Sequence, residues 1–95
     1  MKVKNLRGTA DKKCNCGSWL EHWENYTQLQ RFICSVKGCS NIAGVGAHVI
    51  KVDSNDNNSY IVPMCYGHNN KNGAVYELKD GTNLVSANVQ NTCAK

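Results

Sequence analysis

The chain has 95 residues, a formal net charge of +4, six cysteines, three histidines and a single phenylalanine. That length sets one domain, residues 1–95, as the expectation, with a modest core of the kind small chains supplement with metal or disulfides. No apolar run approaches a membrane span, and MKVKNLRGTADKK has no apolar stretch of the secretory kind, so a cytoplasmic protein without membrane contact is expected.

In that compartment, closely spaced cysteines mixed with histidine point to metal rather than disulfides. The charge count also treats every cysteine as neutral. A Cys3His zinc site brings three thiolates against one dication and so changes the balance by about −1. The basic excess that remains is uneven. Lys2, Lys4, Arg7, Lys12 and Lys13 crowd the start, opposed only by Asp11. Residues 1–13 therefore read as an extended basic arm, able to touch phosphate or simply to be solvated.

Cys14-Asn15-Cys16-Gly17 follows as a tight turn with two thiols. Ser18-Trp19-Leu20-Glu21 is a capping-box pattern, which starts a helix expected to run to about Leu29. Trp19, Trp23 and Tyr26 fall three and four apart and share a face, read as core packing with a base-stacking platform as the alternative. His22 lies beside that stripe. Arg31-Phe32-Ile33 reads as a short strand into Cys34, and Ser35 to Gly38 turns the chain back to Cys39, with Gly38 free to take the positive φ of such a turn.

Ala47 to Val52 reads as a strand, residues 53–59 as a polar turn that bonds to its own backbone, and Tyr60 to Met64 as the return strand. Pro63 makes that strand an edge or ends it there. Cys65-Tyr66-Gly67-His68 opens a short helix, stopped by Asn72-Gly73. Val75 to Leu78 and Leu84 to Val89 are strand patterns, and Asp80-Gly81 between them is the signal of a C-terminal β-hairpin.

The chemistry concentrates in Cys34-x4-Cys39 and Cys65-x2-His68. Zinc takes four nitrogen and sulfur ligands in a tetrahedron, and each close pair supplies two of them from one turn. The hairpin between the pairs carries the chain out and back, which lets them meet. The fold class expected is therefore small α+β: knuckle, hairpin and short helix stabilised by Zn²⁺, an N-terminal amphipathic helix and a C-terminal hairpin. Cys14, Cys16 and Cys93, with His22 as fourth ligand, would make a second zinc site tying both ends to this unit. The alternatives are a redox-sensitive Cys-x-Cys or free thiols, with His22 a packed residue.

This central stretch, 34–72, resembles the treble-clef zinc fingers and, within them, the HNH (ββα-metal) endonucleases. The residues that carry the resemblance are the Cys34/Cys39 knuckle, Gly46-Ala47-His48-Val49, and Ile61-Val62-Pro63-Met64-Cys65-Tyr66-Gly67-His68-Asn69. The resemblance implies His48 as general base, Asn69 as ligand of a catalytic divalent metal, and Asn57 or Asn58 as the residue that orients His48. The sequence departs from the family at Ala47, where many members carry an acidic ligand. Its loop asparagines come early, and Gly73 ends the helix short. The reading that follows is a zinc-binding module that binds nucleic acid or protein without catalysis. A small metal-dependent endonuclease is the alternative, and a disulfide- or redox-linked protein the second.

Overall fold

β1 (Lys2–Asn5) alternates exposed and buried residues, the period-2 signature of a strand with one solvated face. Val3 and Asn5 are fully buried, and Lys2 and Lys4 point out. The computed structural model describes residues 1–6, 18–29, 33–56 and 58–87. In it β1 is an interior strand, antiparallel to β2 (Val45–Lys51) on one side and to β4 (Val75–Glu77) on the other. The expected basic arm is thus corrected for its first residues: the lysines decorate a paired strand. The remainder of the arm, 7–13, lies outside the described residues.

α1 (Trp19–Thr27) begins where the sequence places it, with Ser18 Oγ accepting from the Glu21 N–H at 3.1 Å. It ends two residues before Leu29. Gln28 turns left-handed at φ 60° and its N–H caps the Glu24 carbonyl. Trp23 is fully buried and its Nε1 donates to the Asn83 carbonyl at 2.8 Å. Tyr26 departs from the expected packed stripe and is 61% exposed, whereas Trp23 packs against Ile61 and Val85 with Trp19 alongside.

β2 and β3 (Ser59–Met64) form the expected hairpin, in register from Val45↔Met64 to Ile50↔Ser59. The polar turn closes on itself as its composition dictates. Ser54 Oγ accepts from Asp56 N–H at 3.1 Å, Asp56 Oδ1 accepts from Asn58 N–H at 2.9 Å, and the Tyr60 hydroxyl donates to Asp56. α2 (Tyr66–Asn69) follows directly. β5 (Val85–Ser86) pairs with Tyr60 and Ile61 only, so β3 is an edge at Pro63, where no ladder donor is needed.

The described strands make one antiparallel sheet in the order β4-β1-β2-β3-β5. This corrects the expected C-terminal hairpin. Both strands form, and Gly81 turns at φ 80° between them, yet they lie on opposite edges. β4 is held by the open side of β1, with Tyr76 opposite Val3, whereas Val85 pairs with Ile61 and packs on Trp23. Among the described residues no helix is long and apolar enough to cross a membrane.

The sheet separates two cores. On one face Val3, Ala47, Val49, Val62 and Met64 pack with Cys34, Val36, Cys65 and Leu78. On the other, Ile61 and Val85 pack against Trp23, with Trp19 alongside. Because side chains alternate along a strand, this division decides which candidate residues can meet.

Candidate metal centre

The first ligand pair is built by a short turn. Ile33 and Ile42 bridge across its mouth, the Cys34 N–H donates to the Asn41 carbonyl at 2.9 Å, and the Cys39 N–H donates to the Val36 carbonyl at 3.0 Å. Gly38 supplies the left-handed residue, φ 82°, that a Cβ would strain. The Ser35 N–H to Pro63 and the Gly44 N–H to Met64 fasten this turn to the end of β3, at 3.0 and 3.1 Å. Cys65 comes immediately after β3, in extended backbone at the cap of α2, and His68 stands one turn further on.

The four ligand atoms of Cys34, Cys39, Cys65 and His68 all lie within 4.8 Å of one another. His68 Nδ1 is 3.2 Å from Cys65 Sγ and 3.6 Å from Cys34 Sγ. Bonds of about 2.0–2.3 Å to a tetrahedral ion require ligand atoms separated by about 3.6–3.8 Å. The donor set and its spacing therefore fit a metal ion. Cys34 and Cys65 are buried, and Cys39 and His68 are half-buried, so the centre opens to one side.

The electrostatics fit a cation as well. Burial pushes the Cys34 thiol up to about 11, against hydrogen bonds from the backbone N–H groups of Val36 and Cys65. Burial also pushes Cys65 up. There the His68 N–H, with hydrogen bonds from Cys34, Cys39 and Asn41, outweighs it and holds the thiol below its usual value. Of the two thiols, Cys65 therefore gives up its proton the more readily. A bound dication displaces the thiol protons and lets all three sulfurs ionise. Cys34, Cys39 and Cys65 are free thiols.

Support for the ligands comes from residues that ligand spacing does not point to. Asn5, fully buried in β1, donates its amide to the carbonyls of His68, Asn69 and Lys71 at 3.3, 2.8 and 3.1 Å. Tyr76 donates to the His68 carbonyl at 2.9 Å and stacks edge-on against its ring, centroids 4.9 Å apart. An asparagine two positions after Val3, on the same side of an alternating strand, is the signal in the sequence that points to Asn5.

Of the remaining candidates, His48 and His22 lie on the α1 side of the sheet, away from this cluster, whereas Asn69 directly follows His68 in α2. His48 is buried against α1, edge-on to Trp19 with centroids 4.5 Å apart, and its strand partner Ile61 belongs to the α1 core. Asn69 sits in α2 on the other face, where Asn5 holds its carbonyl. The general base and the catalytic-metal ligand that the resemblance implies thus lie on opposite sides of the sheet. Asn58 is exposed at the hairpin turn. His22 is fully buried, its Nε2 3.0 Å from the Ser86 carbonyl and its ring 5.0 Å from Trp19. Cys14, Cys16 and Cys93, and with them the second zinc site, lie outside the described residues, as does Asn57. Comparison with protein-family models, with curated proteins and with solved structures gives no match.

Proposed function

We propose that this chain is a zinc-stabilised treble-clef module, HNH-like in its core, that binds nucleic acid or protein and performs no catalysis. The observation that carries the proposal is the convergence of the Cys34, Cys39, Cys65 and His68 ligand atoms within 4.8 Å. A Cys-rich set with one imidazole is soft to borderline and suits Zn²⁺ over hard cations. Two ligands from a knuckle, a hairpin, then two ligands from the start of a helix is the order of a treble clef.

Four protein ligands complete the tetrahedron and leave no position for water or substrate, which is the mark of a structural zinc. Hydrolysis would have to come from elsewhere, and His48 and Asn69 stand on opposite faces of the sheet. The module therefore uses its metal to hold a shape. The exposed lysines of β1, Lys2 and Lys4, give it a basic strand face for a polyanion.

The test is a pair of assays on the zinc-loaded chain. Fluorescence anisotropy with single- and double-stranded oligonucleotides should show binding that weakens as salt rises. Absence of such binding at low salt would remove the nucleic-acid reading. Plasmid incubated with Mg²⁺, Mn²⁺ or Ni²⁺ should stay intact. Cleavage that disappears in His48→Ala would refute the proposal and establish the endonuclease.

A further inference from the structure

The segment after β4 runs alongside the knuckle. Val36 and Leu78 bridge, the Lys37 N–H donates to the Glu77 carbonyl at 2.8 Å, and the Lys79 N–H donates to the Ser35 carbonyl at 2.9 Å. This short pairing delivers the Lys79 side chain, which is half-buried, to a particular place. Its Nζ donates to the Cys34 carbonyl at 2.7 Å and to the Cys39 carbonyl at 2.6 Å. Those are the carbonyls of the two knuckle ligands. One ammonium therefore spans both ends of the turn that presents the first ligand pair.

Two consequences follow from that geometry. Two N–H groups of one ammonium hold the Cys34 and Cys39 carbonyls together, and with them the backbone that presents the two sulfurs. The cation also sits beside a centre that carries about −1 when three thiolates and an imidazole surround a dication. Charge-assisted hydrogen bonds are shorter and stronger than neutral ones, in line with the two distances here.

We propose that Lys79 is a positioning residue for the metal. It holds Cys34 and Cys39 at ligand spacing and offsets the negative charge of the metal–thiolate centre, so that the metal is retained. The inference rests on the metal-binding reading of the cluster and deepens it.

The experiment uses the full chain with Zn²⁺ and Co²⁺ as probes. Lys79→Met keeps an apolar stem and removes the charge and the donors. Lys79→Arg keeps the charge. In competition with a chelator, Lys79→Met should bind zinc about 10- to 100-fold more weakly than the wild type, the range for lost outer-shell partners, and Lys79→Arg should lose less. In the cobalt-loaded proteins, Lys79→Met should move the thiolate-to-cobalt charge-transfer band to lower energy, because the sulfurs become more electron-rich. Lys79→Arg should leave it in place. A packing role alone would not move that band. Should Lys79→Met not fold, Lys79→Gln, with a donor but no charge, gives the same spectral reading. An unshifted band in the neutral variants, or zinc affinity within about twofold of wild type, overturns the inference. A wild-type chain that takes up neither metal overturns the metal-binding reading itself.

Discussion

Replacing Gly46 by alanine tests how closely α1 is seated on the sheet. Gly46 lies in β2 opposite Pro63, two residues before His48 and on the same face. A Cβ at this position would run into the Trp19 carbonyl carbon and lie 2.5 Å from the Leu20 nitrogen and 2.7 Å from the Trp19 oxygen. These are backbone atoms of the first helical turn, so no side chain can swing aside. Either α1 lifts or β2 bends, and lifting α1 loosens Trp23 from Ile61 and Val85. Overpacking costs about 1–3 kcal/mol, and backbone on both sides puts this case near 3. A domain of this size shifts its Tm by about 4–8 °C per kcal/mol, so the loss is about 10–25 °C. Gly67 is the matched control. Nothing lies within 4 Å of a Cβ there, and it sits inside α2, so alanine should raise stability by about 0.5–1 kcal/mol. Thermal melts of the zinc-loaded proteins followed by circular dichroism read both. A Gly46→Ala protein that melts within about 2 °C of wild type would refute the seating of α1 described here.

Other expectations follow from single contacts. Asn5→Asp sets a buried carboxylate against the three carbonyls that the amide now serves, and should cost roughly 3–5 kcal/mol in denaturant unfolding. The Tyr60 hydroxyl, which donates to Asp56, holds that carboxyl below its usual range, with the Asn58 N–H and Lys51 helping. A depressed folded pKa contributes stability above the unfolded value and loses it as pH falls through the folded one. The difference between wild type and Asp56→Asn should therefore be constant above about pH 5 and shrink below about pH 4. An unchanged difference at pH 3 would count against the contact. His48→Ala should weaken the packing on Trp19 by roughly 1–3 kcal/mol and leave zinc content unchanged, as elemental analysis can check. Loss of zinc would place His48 in the metal's surroundings.

The candidate ligand set was legible because metal coordination needs particular residue types at particular spacings, and Cys34, Cys39, Cys65 and His68 carry both and lie close together. Ser18 and Glu21 marked the start of α1 for a similarly local reason. The fold around them was harder to read. β1 offers only Val3 as an apolar inward residue, since its other inward position is Asn5, whose role depends on carbonyls more than sixty residues away. Asp80-Gly81 forms a turn as expected, but a turn does not dictate that its flanks pair when better partners exist in β1 and β3. The face taken by His48 follows from strand alternation only once Trp19 is known to cover that side. Lys79 gave no signal, because its partners are backbone carbonyls, which every residue has.

The central claim is that Cys34, Cys39, Cys65 and His68 hold a zinc ion that the fold requires. Zinc content and thermal unfolding, measured side by side for the wild-type chain and Cys65→Ala, test it most directly. Structural zinc sites are worth about 10–16 kcal/mol in small peptides, as much as the whole stability expected of a chain this size, about 5–15 kcal/mol. Cys65→Ala should therefore carry one zinc fewer per chain and lose its cooperative melt. Equal zinc in both proteins, or an undisturbed melt in Cys65→Ala, would contradict the account.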